Sequence, residues 1–104
     1  MSKSLDNLFN LKGKVIVITG ATGLLGRNHA EAIAAYGGNP ILLDLSLEKV
    51  EAFAKELNKR FKVVAKGFSV DITDELQVEG NAKLLVNLYG RIDGLVNNAA
   101  NNPK

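Results

Sequence analysis

The stretch VIVITGATGLLG, from Val15 to Gly26, constrains the fold of this chain more than any other part of it. A short aliphatic run stops at Thr19, glycines then recur at every third position, and a helical pattern begins. A strand, a tight turn and a helix start in this order leave backbone N–H groups free at the helix N-terminus, where the helix dipole adds partial positive charge. The stretch therefore predicts a turn that can hold a pyrophosphate, in which Gly20, Gly23 and Gly26 allow close approach. The alternative is a turn that only lets a helix pack on a sheet.

Length and composition exclude several classes of protein and of site. With 104 residues the chain is at most one domain, assigned to 1–104. The formal net charge is only +2 and the basic residues are scattered, so a nucleic-acid partner is not expected. The chain has no cysteine, which excludes disulfides and thiolate metal sites and favours a cytoplasmic location. No apolar run approaches the roughly 18 residues of a membrane span, so no membrane partner is predicted.

Apolar runs and helical periodicity alternate along the chain after a polar lead-in at 1–12. Strands are predicted at 14–19, at 41–45, within 62–70 centred on Val63-Val64-Ala65, and at 92–96. Helices are predicted at 24–36, from a Ser46 cap to about 60, and from a Thr73 cap to Gly90. This β-α-β-α-β-α-β order predicts an α/β fold, with a parallel sheet in strand order 3-2-1-4 and right-handed crossovers. The ligand crevice is then expected at the carboxyl ends of the first and fourth strands.

Two acids follow the second and third predicted strands. Asp44 ends the second strand, where a carboxylate can accept both ribose hydroxyls of an adenosine and would repel a 2′-phosphate. This favours NAD over NADP, although a solvated acid at a strand end is the alternative. Asp71 could accept a hydrogen bond from an adenine amino group, or it could simply begin a helix beside Thr73. Arg27, the only cation near the turn in the sequence, is interpreted first as a surface residue.

Amide and small side chains end the fourth strand at Asn97-Asn98-Ala99-Ala100. Asparagine amides can tie adjacent strand ends together, and small alanines leave room for a ribose. A polar loop with a structural asparagine is the alternative. His29, the one histidine, has no second ligand or partner acid at a recognisable spacing, so a surface or packing role is favoured over a catalytic one.

Four features together resemble the N-terminal half of a short-chain dehydrogenase/reductase over about residues 11–100: LKGKVIVITGATGLLG, Asp44, VDITD and IDGLVNNAA. The resemblance implies a truncated, doubly wound Rossmann-type domain that binds NAD, with NADP as the less favoured cofactor. It implies that Leu25 closes over the cofactor, that Asp71 and Ile72 flank the adenine, and that Asn98 helps to pin the first strand to the fourth. The cofactor-binding residues implied are Gly20, Gly23, Leu25, Gly26, Asp44, Asp71, Ile72, Asn98, Ala99 and Ala100.

Two departures from the family pattern bear on activity. The glycine spacing TGATGLLG is that of the extended subfamily, whereas VDITD and Asn-Asn-Ala-Ala resemble the classical one. The family's catalytic Tyr-x-x-x-Lys is absent, because Pro40 follows Tyr36 and Asp93 follows Tyr89 at the lysine position. The resemblance implies the cofactor half of an oxidoreductase that is inactive alone, with no catalytic residue and no metal site. The alternatives are a non-catalytic nucleotide-binding module and a truncated nucleotide-sugar epimerase or dehydratase.

The fourth strand is expected to form an exposed edge of the sheet. In the family this strand is interior, and here no fifth strand follows it. An edge that carries Ile92, Leu95 and Val96 invites pairing between chains. The sequence therefore predicts self-association through this edge.

Overall fold

A computed structural model describes residues 10–98, which form one parallel sheet with helices on both faces. The elements are β1 (Val15–Thr19), α1 (Leu24–Ala35), β2 (Asn39–Asp44), α2 (Leu47–Phe61), β3 (Lys66–Ser69), α3 (Glu75–Tyr89) and β4 (Gly94–Asn97). The strand order is β3-β2-β1-β4, and each neighbouring pair is parallel. This confirms the predicted fold class and strand order. Within residues 10–98 no helix is both long and apolar enough to span a membrane.

The core is divided between the two faces of the sheet because side chains alternate along each strand. The first face is covered by α1 and α2, and the second carries α3, whose one buried residue is Leu85. The first face buries Ile18, Ala30, Ala34, Leu42, Val50, Phe53 and Leu57, among others. The second face buries Val15, Val17, Ile41, Leu43, Val70 and Leu85. The central strands β1 and β2 are thus apolar on both sides, as expected of a parallel sheet.

Helix α1 begins in very close contact with the end of β1. A Cβ atom placed on Gly26 would lie 2.1 Å from the carbonyl oxygen of Gly20 and 2.8 Å from the Cα of Ala21. Gly20 has a φ of +61°, in the left-handed region that favours glycine. Gly23 differs, since its φ is −78° and an added Cβ would meet the Gly20 oxygen at an ordinary 3.5 Å. The fold therefore requires glycine at positions 20 and 26 but does not require it at 23.

The third strand lies at Lys66–Ser69, so the prediction that it centres on Val63-Val64-Ala65 is wrong. Lys62 ends α2 with a φ of 58°, and the residues after it form a connection rather than a strand. The Asn58 side chain bonds both the N–H and the carbonyl of Ala65, which removes these groups from any strand ladder. Gly67 then brings β3 against α2, because a Cβ there would lie 2.6 Å from the Val50 carbonyl.

The boundaries of β2 and β4 also differ from the predictions. β2 begins at Asn39, two residues early, and includes Pro40. Proline is tolerated there because pairing with β3 starts only at Ile41, so the missing N–H interrupts no bond to that strand. β4 begins at Gly94, two residues late, because Asp93 instead bridges to β1: its N–H donates to the Val15 carbonyl at 2.8 Å, and its carboxylate accepts from the Val15 N–H at 2.8 Å.

Asp74, not Thr73, is the N-cap of α3. Its carboxylate accepts from the N–H groups of Leu76 and Gln77 at 3.0 and 3.4 Å. The Thr73 hydroxyl is directed elsewhere, to the Asp71 carboxylate. Gly90 ends the helix with a φ of +79°, as the sequence predicts.

The lead-in falls mostly outside the described residues. Leu8 and Phe9 lie there, whereas Leu11 is described and its N–H donates to the Tyr36 carbonyl at 2.9 Å. This bond joins the start of the described chain to the end of α1.

Replacing Gly26 and Gly80 with alanine should change stability in opposite directions. We expect Gly26→Ala to lower the free energy of unfolding by about 3 kcal/mol or more, because the new methyl group overlaps the Gly20 carbonyl. Gly80→Ala in the exposed interior of α3 should raise it by roughly 0.5–1 kcal/mol, since nothing lies within 4 Å of an added Cβ. Urea unfolding followed by circular dichroism measures both. Equal effects of the two variants would contradict the close contact at Gly26.

Candidate functional site

The carboxyl ends of the strands gather polar groups around a small pocket. This pocket has a volume of about 180 Å³ and is lined by Gly20, Leu43, Asp44, Leu45, Val70, Asp71, Ile72 and Thr73. Because the strands are parallel, the turn after β1, the end of β2 and the segment after β3 meet at one edge of the sheet. Gly20, Asp44, Asp71 and Ile72, all predicted from the sequence, thus line one pocket.

Asp44 is held by the glycine turn. Its Oδ2 accepts from the Thr22 N–H at 3.0 Å and from the Thr22 hydroxyl at 2.6 Å, and its Oδ1 accepts from the Leu45 N–H at 2.9 Å. Burial raises the pKa of this carboxyl, but the hydrogen bonds from Thr22 and Leu45 outweigh burial. The nearby charge of Lys49 acts in the same direction, so the pKa of Asp44 lies below its ordinary value. Asp44 is therefore an ionised acceptor at neutral pH, and not a freely solvated acid.

Asp71 is held in a similar way by the residue two positions later. Its Oδ1 accepts from the Thr73 N–H at 3.0 Å and from the Thr73 hydroxyl at 2.6 Å. These two bonds lower the pKa of the Asp71 carboxyl. The Asp71 N–H donates to the Gln77 side chain at 2.9 Å, which ties the segment to α3. Asp71 therefore lines the pocket and is bonded to Thr73 ahead of the helix, and its contact with an adenine amino group stays a prediction.

The first turn of α1 faces the same edge of the sheet without a side-chain cap. Gly23 is the N-cap and has no side chain to accept from the first-turn N–H groups. The first bond back to the turn runs from the Arg27 N–H to the Gly23 carbonyl at 2.9 Å. Leu25 is 62% exposed beside this turn. An anion at the helix start would meet backbone donors and the positive end of the helix dipole.

The tie between β1 and β4 is made by Asn97. The Thr19 hydroxyl donates to Asn97 Oδ1 at 2.6 Å, joining the two strand ends. The resemblance implied Asn98 for this role, whereas the Asn98 Nδ2 is buried with no hydrogen-bond partner. The sequence predicts Asn97 directly after a fourth strand at 92–96, whereas it is the last residue of β4, and the strand register pairs it with Thr19. Ala99 and Ala100 lie outside the described residues.

The remaining candidates lie away from the pocket or have no partners that indicate chemistry. Arg27 contacts Glu56 at 3.2 Å and lies 4.0 Å over the Phe53 ring, so it packs on α2 as a surface residue. His29 lies within α1, and its Nδ1 is buried without a hydrogen-bond partner. Among residues 10–98, no group of three or more His, Cys, Asp or Glu side chains could hold a metal ion.

Two further concavities are a groove at the opposite edge of the sheet and an apolar cavity that shares Leu43, Val70 and Ile72 with this pocket. A groove of about 880 Å³ runs along the amino ends of the strands, lined in part by Gly13, Tyr36 and Val64. An apolar cavity of about 330 Å³ lies between α3 and β4, lined in part by Leu85 and Leu95. Neither contains the ionised, turn-bound carboxylate that distinguishes the pocket at the carboxyl edge.

Comparison with known proteins gives a consistent result. The family model described as short chain dehydrogenase matches residues 14–104. A D-threitol dehydrogenase from Mycolicibacterium smegmatis is 38% identical over 96 residues, which cover 92% of this chain and 36% of that protein. A 15-hydroxyprostaglandin dehydrogenase [NAD(+)] from Macaca fascicularis is 35% identical over 97 residues, which cover 91% of this chain and 36% of that protein.

Solved structures agree with these sequence matches. The crystal structure of an NADPH-dependent 3-quinuclidinone reductase from Rhodotorula rubra superposes with a TM-score of 0.83 at 36% identity. The match covers 91% of this chain and 36% of that one. The chain therefore spans about a third of the length of the relatives it matches.

Proposed function

This chain belongs to the short-chain dehydrogenase family, and we propose that it is the NAD-binding part of an NAD(P)-dependent oxidoreductase. The observation that carries the proposal is the bonding between the glycine turn and Asp44, which places an ionised acceptor beside an uncapped helix start. A dinucleotide has a pyrophosphate that suits the helix start and ribose hydroxyls that suit the carboxylate. The helix start proposed for the pyrophosphate and the carboxylate proposed for the ribose both belong to the described part of the chain.

The pyrophosphate would lie against Gly23 at the start of α1. Glycine at this position is not needed for the fold, since an added Cβ would meet only the Gly20 oxygen at 3.5 Å. Space that the chain leaves open next to unpaired backbone donors suits a ligand that approaches the backbone closely. Gly20 and Gly26 shape the turn, and the exposed Leu25 would cover the ligand from the first helical turn.

The adenosine would occupy the pocket of about 180 Å³ between Asp44 and Asp71. Asp44 would accept from the ribose, and Asp71 and Ile72 would flank the adenine. The fixed negative charge of Asp44 repels a 2′-phosphate, so we propose NAD as the preferred cofactor. The 15-hydroxyprostaglandin dehydrogenase is named for NAD and the 3-quinuclidinone reductase for NADPH, so family membership alone leaves the choice open, and the proposed preference for NAD rests on Asp44.

Hydride transfer is not proposed for these residues alone. The sequence has no Tyr-x-x-x-Lys, and a tyrosine acts as general acid/base near neutral pH only when a nearby cation lowers its pKa. From the family resemblance we also propose that Asn98 contacts the cofactor. Ala99 and Ala100, for which the resemblance implies the same role, lie outside the described residues. A cytoplasmic location belongs to the same proposal and rests on the absence of cysteine.

The first test compares NAD with NADP on an Asp44→Ala variant. We expect the Kd for NAD to rise about tenfold or more, because a charged acceptor for the ribose is lost. The Kd for NADP should stay constant or fall, since the repulsion of the 2′-phosphate is removed as well. Isothermal titration calorimetry measures both, with Glu79→Ala as a control that changes the same charge at an exposed site on α3. An equal loss of affinity for both dinucleotides would overturn the assignment of Asp44.

The second test separates folding from binding at Gly23. Gly23→Ala should lower the free energy of unfolding by no more than about 1 kcal/mol, because alanine is a poorer N-cap than glycine but the φ is ordinary and the new methyl group has space. It should weaken NAD about tenfold, because the methyl group occupies the space beside the helix N-terminus. Unchanged NAD affinity in a stably folded variant would show that the pyrophosphate does not lie there.

Self-association through β4 is a further part of the proposal. Among residues 10–98, β4 has a sheet neighbour on one side only, and Leu95 on it is 63% exposed. Helix α3 adds exposed apolar side chains, and one of them, Val78, lines the same apolar cavity as Leu95. Unpaired backbone groups beside exposed apolar surface favour strand pairing between copies.

Sedimentation velocity tests this association with a lysine on the edge strand. Leu95→Lys should shift the distribution toward monomer, because a charged side chain on an edge strand opposes pairing. Val64→Lys is the matched control, since Val64 is also exposed (56%) but lies at the opposite edge of the molecule. A wild-type chain that stays monomeric at high concentration would contradict the association.

A further inference from the structure

We propose that Thr22 is the positioning residue that fixes the Asp44 carboxylate and thereby sets the preference for NAD over NADP. The inference rests on the proposed function, since it concerns how Asp44 meets the cofactor. It assigns a role to a turn residue that the glycine pattern treats as variable.

Thr22 donates two hydrogen bonds to the same oxygen of the Asp44 carboxylate. A carboxylate oxygen offers about two lone-pair positions, and Asp44 Oδ2 already accepts from both the hydroxyl and the N–H of Thr22. Oδ1 accepts a single bond, from the Leu45 N–H at 2.9 Å. The open acceptor position of Asp44 is therefore on Oδ1. A ribose hydroxyl bonded there would meet a carboxylate whose rotation is already restricted.

The backbone of the turn is held independently of the Thr22 hydroxyl. The Ala21 N–H donates to the Leu43 carbonyl at 3.2 Å, and the Gly23 N–H donates to the Gly20 carbonyl at 3.1 Å. Removing only the hydroxyl should therefore leave the turn in place and release Asp44 from one of its two bonds to residue 22. Thr22→Val makes this change while it keeps the shape of the side chain.

A released carboxylate should discriminate less between the two dinucleotides. NAD would have to order the Asp44 side chain on binding, which costs affinity. NADP would meet a negative charge that can rotate away from its 2′-phosphate. The preference for NAD should therefore fall, even though the charge at position 44 is unchanged.

The experiment is a double-mutant cycle on dinucleotide binding. In the wild-type background, Thr22→Val should raise the Kd for NAD roughly 3- to 10-fold and leave the Kd for NADP within about 2-fold. Thr22→Ser, which retains the hydroxyl, should restore the wild-type ratio. In the Asp44→Ala background, Thr22→Val should have no further effect on the ratio, because the partner is gone.

A pH titration of Asp44 separates a positioning role of Thr22 from a purely structural one, because only the positioning role changes the pKa of Asp44. The hydroxyl bond lowers the pKa of Asp44, so its removal should raise that pKa. NAD binding that depends on the ionised carboxylate should then be lost at a higher pH in Thr22→Val than in the wild type, in the range below about pH 5. The carboxyl carbon of Asp44, followed by NMR without any cofactor, should show the same upward shift.

The outcomes distinguish this inference from the proposed function. If Asp44→Ala removes the NAD preference but Thr22→Val changes neither the ratio nor the Asp44 titration, Thr22 has no positioning role. If Thr22→Val acts equally on both dinucleotides, or acts fully without Asp44, the inference also fails. A wild-type chain that binds no NAD would overturn the proposed function first. If Thr22→Val binds dinucleotides poorly because it folds poorly, the NMR titration of the Asp44 carboxyl carbon, which needs no cofactor, still tests the inference. Thr22→Ser is the reference variant for that titration.

Discussion

The close approach of α1 to the end of β1 is the contact on which the rest of the structure depends. An alanine methyl group at Gly26 would lie 2.1 Å from the Gly20 carbonyl oxygen, so helix and strand meet with only backbone between them. This contact places the uncapped helix start directly above the carboxyl edge of the sheet. It also fixes the turn residue Thr22 within reach of Asp44. The same glycines thus set the packing of the helix and shape the proposed binding surface.

Short hydroxyl bonds then fix side chains along the carboxyl edge of the sheet. The hydroxyl of Thr22 binds Asp44, that of Thr73 binds Asp71, and that of Thr19 binds Asn97, each at 2.6 Å. The bonds of Thr22 and Thr19 join neighbouring strand ends, and the bond of Thr73 orders the segment after β3. Side chains held in this way lose little conformational freedom when a ligand binds, which favours affinity. The pocket is in this sense organised by the chain itself before any cofactor is present.

The sequence predicts those features that depend on local backbone chemistry and on apolar pattern. The glycine turn, the α/β alternation and the strand order all follow from the spacing of glycines and aliphatic runs. The third strand could not be located in this way, because Val63-Val64-Ala65 is the more apolar segment and Lys66–Ser69 is the one that pairs. The decisive hydrogen bonds come from Asn58, seven residues before Ala65. The Asn58 side chain bonds both the N–H and the carbonyl of Ala65. The roles of Thr22 and Asn97 likewise depend on which strand ends meet in space.

An NMR titration of the chain with NAD tests the proposed dinucleotide site most sharply. Binding at the glycine turn should shift the backbone amide signals of Gly20, Gly23, Leu25 and Gly26, together with those of Asp44 and Asp71. Signals along the groove at the amino ends of the strands, such as those of Gly13 and Val64, should stay in place. Shifts confined to that groove, or no shifts at millimolar NAD, would contradict the assignment of the glycine turn and Asp44 as a dinucleotide site.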